Sequence, residues 1–321
     1  MGKFKVIITD ILSDSYDIER AVLSEADADL TAYDALSGAG LTEAARDADG
    51  ILCNLAKISA AHIEAMRKCK VISRYGIGYD NVDAAACARR GVWLANVPDY
   101  CQKEVCEHTI ALMMGIARQI PQKNARIRKG VWDSGRKDRI IRLWGKTAGL
   151  LGFGSIPRTM APALQALGMA VISYDPYVDA EKMGALGVRK AELGELLESS
   201  DFLCVHLPYN EQTRGMIGDG ELARMKEGAI VVNTARGGIV DEAALTRAVA
   251  AGHISGAGLD VYENEPLSGD NALLRYDNVV LTDHCAWNSA ESLVELKTKC
   301  AQNVRDVLLG GKPKYPVVSI G

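Results

Sequence analysis

From residue 4 to residue 281 the chain repeats one arrangement: a short run of Val, Ile and Leu, then an amphipathic stretch, then another run. The runs predict strands at 4–9, 50–53, 70–73, 92–95, 147–151, 170–174, 201–206, 229–233, 256–261 and 278–281. The stretches at 59–68, 81–89, 156–167, 192–198, 219–225 and 241–251 predict helices. A strand with one wet face would alternate apolar and polar residues. These runs are apolar throughout, as strands are when a parallel sheet is covered on both faces.

With 321 residues there is room for two domains, each with its own core. Two longer helix candidates break the rhythm. One covers 102–118, with Val105, Thr109, Leu112, Met113 and Ile116 near helical spacing. The other covers 290–309 and stops at Gly310-Gly311. Both can join two domains, the second returning the chain to the first. The expected division is therefore 1–98 plus 288–321, discontinuous, and 99–287. The expected fold class is α/β: two doubly wound parallel-sheet domains of the Rossmann or flavodoxin kind, with a cleft between them and closure about the two long helices. The basic segment 126–146, with two tryptophans, is expected to be a loop laid on the second domain or on a partner subunit.

Charge and cysteine usage narrow the function. Lys and Arg total 37 against 41 Asp and Glu, a net charge of −4, and there is no long basic run, which argues against nucleic acid or an anionic membrane as a partner. No apolar stretch approaches the roughly 20 residues that span a bilayer. The opening M-G-K-F-K-V-I-I-T-D lacks the features of a signal peptide, so a cytoplasmic location is expected. The eight cysteines form no C-x-x-C pair; buried, reduced thiols are expected and no metal site.

Residues 147–154, T-A-G-L-L-G-F-G, are a strand entering a glycine turn, with a helix expected from Ser155. Gly152 and Gly154 match the first two glycines of G-x-G-x-x-G, one for the tight turn and one for close approach to a pyrophosphate. The third position is Pro157, acceptable in a first helical turn, and the amides of Ser155 and Ile156 remain to face phosphates. Pro162 predicts a kink or a short opening helix. Asp175 ends the next strand near the roughly 20-residue offset at which an acid binds the ribose hydroxyls of NAD. No Arg or Lys lies in 174–179 to take a 2′-phosphate, so the reading is NAD over NADP.

Three further residues follow apolar runs: Arg236 in N-T-A-R-G-G, Glu265 in Y-E-N-E-P and His284 in T-D-H-C-A-W. In a parallel sheet such ends collect on one edge, where open α/β folds place ligands. A guanidinium, a carboxylate and an imidazole together make an anion clamp beside a proton donor whose charged form the carboxylate favours. That combination suits reduction of a 2-keto acid.

With these motifs assembled, the chain resembles the D-isomer-specific 2-hydroxyacid dehydrogenase family over nearly its whole length. The resemblance rests on R-Y-G-I-G-Y-D-N-V-D (74–83), N-V-P-D-Y (96–100), the glycine turn, V-H-L-P (205–208), N-T-A-R-G-G-I-V-D-E (233–242), D-V-Y-E-N-E-P (260–266) and D-H-C-A-W (283–287). V-P-D-Y-C with H-x-A-W looks most like the branch containing C-terminal binding protein and its bacterial dehydrogenase relatives. The resemblance implies that His284 protonates the substrate carbonyl, Glu265 holds the imidazole, and Arg236 clamps the carboxylate. It implies that the backbone of Tyr75, Gly76, Ile77 and Gly78 binds the substrate carboxylate and that Thr234 and Asp260 lie near the nicotinamide. Tyr100 and Trp287 would shape the substrate side-chain pocket. His206 joins the cofactor-binding set, although its place between a strand and Pro208 also suits a structural residue; His62, His108 and His253 receive no role. A homodimer through the nucleotide domain is likewise implied.

Glu265 argues against a formate dehydrogenase, whose relatives carry glutamine there. Phosphoglycerate dehydrogenases usually hold an arginine in the loop after the second predicted strand; here it reads C-N-L-A-K (53–57), with only Lys57 cationic. Phosphoglycerate is thereby disfavoured, hydroxypyruvate and glyoxylate stay open, and Trp287 favours a bulkier apolar keto acid. The competing reading is an NAD(H)-sensing co-repressor-like scaffold, for which a docking extension beyond Pro316 would be expected.

Overall fold

The computed structural model describes residues 3–133, 135, 139–318 and 320. Of the basic 126–146 segment, residues 134 and 136–138 lie outside this description. The chain divides into two compact units: residues up to Cys101 with those from Ser289 on, and Gln102–Asn288.

The first unit is built from β1 (Phe4–Ile8), α1 (Asp17–Ser24), β2 (Ala28–Ala32), α2 (Gly38–Arg46), β3 (Gly50–Cys53), α3 (Ala60–Ala65), β4 (Val71–Arg74), α4 (Ala84–Arg90) and β5 (Trp93–Ala95). Its parallel strands lie in the order β2-β1-β3-β4-β5. Ile7, Ile51, Ile72 and Leu94 send their side chains into one core with Leu41, Ile63 and Val82. The apolar-run criterion misses β2, because A-D-L-T-A is an edge strand with Leu30 as its one buried residue. It also misses α1 and α2, whose sequences are short and interrupted by Ser, Asp and Gly.

The second unit begins with α5 (Gln102–Ala117) and α6 (Ile120–Arg128), the latter taking in the first residues of the expected loop. There follow β6 (Thr147–Leu151), α7 (Ser155–Ala166), β7 (Ala170–Tyr174), α8 (Ala180–Gly184), β8 (Arg189–Lys190), α9 (Leu193–Ser199), β9 (Phe202–Val205), α10 (Asp219–Arg224), β10 (Ala229–Asn233), α11 (Glu242–Ala250), β11 (Ile254–Leu259) and β12 (Val279–Leu281). Their order is β12-β11-β10-β9-β6-β7-β8, parallel throughout. Successive residues enter opposite cores: Leu203, Val205 and Val231 one, Phe202, Cys204, Ile230 and Val232 the other. That is why these strands read as continuous apolar runs. The glycines of β11 have a packing cause, since a Cβ on Gly256 would stand 2.5 Å from Ile116 and one on Gly258 2.9 Å from Leu112, both on α5.

Pro162 neither shortens nor restarts α7, which runs through it for twelve residues. Pro157, Met160, Ala161 and Leu164 form the buried face, whereas Pro162 is exposed, so the carbonyl it leaves unpaired can be solvated. After the second unit the chain returns as α12 (Ala290–Leu308), capped by Ser289 and lying against α1, β3 and β4 of the first unit.

Candidate active site

In the second unit the strand order reverses between β6 and β9, the place where doubly wound sheets open a crevice. The glycine turn and His206 both stand there. Gly152 has φ of +101°, and a Cβ on it would meet the carbonyl oxygen of His206 at 2.7 Å. Gly154 faces open space, which leaves room for a ligand. The amides of Ser155 and Ile156, in the first turn of α7, find no acceptor among the described residues, as expected for a helix start that can take phosphate oxygens. Pro157 is buried in the place of the third glycine.

Asp175, at the end of β7, accepts the Phe153 amide at 2.9 Å on one oxygen and the Tyr177 amide at 2.9 Å on the other. Its carboxylate is thus fixed against the glycine turn, each oxygen keeping a lone pair for a hydroxyl donor. Burial pushes the His206 imidazole down to about 4, and its buried Nε2 has no protein partner. A neutral imidazole nitrogen without a partner at the crevice fits a polar ligand group there. The residues present therefore fit a dinucleotide.

Arg236, Glu265 and His284 follow β10, β11 and β12, three neighbouring strands, so all come to one edge of the sheet. Asn233 shapes the first turn by accepting the Ala235 amide at 3.0 Å and donating to the Arg236 carbonyl at 2.8 Å. Gly237 lets this turn press on the backbone of Tyr262 and Glu263; a Cβ there would lie 1.9 Å from the Tyr262 carbonyl oxygen. Glu265 accepts the Tyr262 amide at 3.0 Å on Oε1 and pairs with His284 Nδ1 at 2.7 Å on Oε2. Burial pushes the Glu265 carboxyl up, but the hydrogen bonds from His284 and Tyr262 and the charges of His284 and Arg236 carry it below its ordinary value. Because Nδ1 is engaged, Nε2 is the ring nitrogen left to meet a ligand. His284 has φ of +57°, a left-handed conformation that a non-glycine residue holds only when its surroundings impose it.

What imposes it is Asp260. This buried carboxylate accepts the amides of Cys285 and Ala286, each at 2.9 Å, and the Thr282 hydroxyl at 2.6 Å. His108 Nε2 stands 3.0 Å from the same hydroxyl and 3.6 Å from the carboxylate. His108, Asp260 and Cys285 are the metal-capable trio found among the described residues, and Asp260 is already occupied by these donors. His108, which the sequence gives no role, and Asp260, which the resemblance places near the nicotinamide, both support the His284 loop. Thr234, buried, bonds the Thr109 hydroxyl at 2.8 Å. Trp287 is half-buried beside this loop. None of these partnerships had a sequence signal, because the partners are remote along the chain.

In the first unit, Tyr75–Gly78 leave the end of β4. The expectation that all four present backbone to a carboxylate needs correction at Tyr75, whose amide is taken by the Cys53 carbonyl at 2.8 Å. Its phenol points inward to Glu19 at 3.0 Å. Gly76 then turns the chain at φ of +131°, and the amides of Ile77 and Gly78 find no acceptor among the described residues. Tyr100 is buried in the same unit. After β3, Asp10 accepts the amides of Asn54, Leu55 at 2.5 Å, and Ala56. Lys57 is exposed. All eight cysteines are free thiols, and burial pushes those of Cys53, Cys87 and Cys204 up to about 12.

Two parallel doubly wound sheets, a glycine turn at the switch point and an Arg–Glu–His edge define a nucleotide-binding α/β architecture. Residues 110–286 match the model of the D-isomer specific 2-hydroxyacid dehydrogenase NAD binding domain, and the chain belongs to that family. It is 43% identical over 254 residues to a D-3-phosphoglycerate dehydrogenase of Archaeoglobus fulgidus, an alignment that covers 79% of this chain and 48% of that protein. The chain thus spans about half the length of that relative. Among solved structures it resembles a D-lactate dehydrogenase from Aquifex aeolicus complexed with NAD and lactic acid, with a TM-score of 0.89, 27% identity and coverage of 98% and 100% of the two chains. A glyoxylate reductase from Paecilomyes thermophila gives 0.90, 29%, and 99% of each. The family is the level at which this likeness holds; these relatives do not carry the likeness to the C-terminal binding protein branch. Among the described residues no helix is long and apolar enough to cross a membrane.

Proposed function

We propose that this protein interconverts a 2-keto acid and the corresponding D-2-hydroxy acid with NAD(H), and the observation that carries the reading is the His284–Glu265 bond of 2.7 Å beside Arg236 at the ends of three adjacent strands. NAD(H), when bound, supplies or takes the hydride. Gly152, Gly154, Ser155 and Ile156 would hold its phosphates and Asp175 its ribose; 174–179 holds no cation for a 2′-phosphate, so NAD is preferred. The Arg236 guanidinium binds the substrate carboxylate and polarises the carbonyl oxygen. His284 Nε2 gives that oxygen a proton in reduction and recovers it in oxidation, while Glu265 holds Nδ1. In the first unit, the amides of Ile77 and Gly78, which find no acceptor among the described residues, make an anion site suited to a carboxylate.

Two substrate readings compete. The relative's name favours a phosphorylated substrate. Asp10 favours an unphosphorylated one, because it fills the amide nest of residues 54–56 with the protein's own carboxylate and leaves Lys57 as the loop's cation. A spectrophotometric NADH-oxidation panel of 2-keto acids that includes phosphohydroxypyruvate separates them, and tight NADH binding with no turnover on any member would favour the sensing scaffold. The assembly we propose is a homodimer. Helix α6 buries none of its residues, its Ile127 is exposed, and so are Val131, Trp132 and Trp144 further along the chain, Trp132 to 88%. Trp132→Glu should convert a sedimenting dimer to monomer; a wild-type monomer would refute the assembly.

A further inference from the structure

A buried ion pair lies behind the Tyr75–Gly78 turn. Lys297 on α12 and Glu19 on α1 are 4% and 0% exposed and 3.5 Å apart. Lys297 Nζ also donates to the Ser13 hydroxyl at 2.9 Å and to the Ser15 carbonyl, and it sits over the Tyr16 ring. The other Glu19 oxygen accepts the Tyr75 phenol. Two turns further along α12, buried Asn303 donates at 3.0 Å to the Asn96 carbonyl, and the Asn96 side chain donates at 2.7 Å to the Ile77 carbonyl. Two polar relays from one helix therefore end on the two sides of one turn.

Stability alone accounts poorly for this arrangement. Desolvating two charges costs about as much as their attraction returns, and apolar replacement of such pairs is often neutral or stabilising. What the pair does supply is direction: it holds the phenol inward, so that the chain leaves Tyr75 in one orientation and Gly76 turns it with the next amides unpaired. We infer that Glu19 and Lys297, acting through Tyr75, and Asn303, acting through Asn96, are positioning residues for the Ile77–Gly78 amides that bind the substrate carboxylate. The inference rests on the reading of that turn as a substrate site.

The variants are Tyr75→Phe, which removes one hydroxyl, and Glu19→Leu with Lys297→Met, which removes both charges together. Amide contacts of this kind bind ground and transition states alike, so loosening them raises KM and spares kcat. Each variant should raise KM for the best keto acid by about 5-fold or more, with kcat and the NADH Kd within about twofold of wild type. A purely structural role would lower thermal stability at unchanged KM, and that result overturns the inference. If the double variant does not fold, Tyr75→Phe decides by the same criterion. Gly76→Ala tests the underlying reading, since the turn needs φ of +131° there and the added Cβ would meet Arg74. An unchanged KM in that variant overturns both. A raised KM in Gly76→Ala with unchanged KM in the other two overturns only the positioning role.

Discussion

The two units solve the same problem, presenting fixed groups at the carboxyl edge of a parallel sheet, by different means. The second unit presents side chains: Arg236, Glu265 and His284 stand on loops leaving adjacent strands, and Asp260 clamps the amides beyond His284. The first presents backbone, the amides of Ile77 and Gly78, and keeps Glu19 and Lys297 buried behind the turn. Side-chain sites lose most when one residue is exchanged, because the chemistry is that residue. Backbone sites have no such residue, so their weak points lie among the buried groups that aim them.

This contrast sets the order of expected effects. His284→Gln should lower kcat by about 10²–10⁴-fold with the NADH Kd unchanged, read by steady-state kinetics and fluorescence titration; retained turnover would show that the second unit does not supply the proton donor. Arg236→Lys keeps the charge and loses the bidentate fork, so kcat/KM should fall by about 10²-fold, and a loss confined to kcat with normal KM would mean that the guanidinium binds no carboxylate. Gly152→Ala forces a Cβ into the His206 carbonyl at a positive φ, and NADH should bind about 10-fold more weakly or worse. Unaltered affinity would remove the glycine turn from the cofactor site.

The smallest effect is on pH dependence. Burial lowers the His206 pKa from 6.5 to about 4 in the folded chain. Between those values the unfolded chain takes up a proton that the folded chain refuses, so stability falls as pH drops through this window and the contribution is fully present above it. In His206→Asn the acid-side fall in melting temperature between pH 6.5 and about 4 should be shallower than in wild type. Identical slopes would mean that the imidazole is solvated in the fold.

Legibility follows burial rather than unit. The strands with both faces covered, β1, β3, β4 and β5 in the first unit and β6, β7 and β9 to β12 in the second, read as apolar runs, and Arg236, Glu265 and His284 follow where such runs end. The polar edge strand β2 and the two-residue β8 carry no such signature. Pro162 does not end α7 early, since a proline on a solvated face leaves the carbonyl it would have bonded to water. Tyr75 opens the 75–78 turn, yet its amide belongs to Cys53 and its phenol to Glu19, neither of which periodicity can reveal.

The amino-acid order by itself determined two parallel sheets, the glycine turn with Asp175, and an Arg, a Glu and a His at strand ends, because local periodicity and short-range turn chemistry encode all of these. Only the tertiary structure decided that Asp260 and His108 hold the His284 loop, that Asp10 fills the nest after β3, and that Lys297 and Glu19 stand behind the 75–78 turn. Each of these is a pairing of groups distant along the chain, and a polar group buried without its partner would cost too much to persist, so the fold that brings the partners together also assigns their roles.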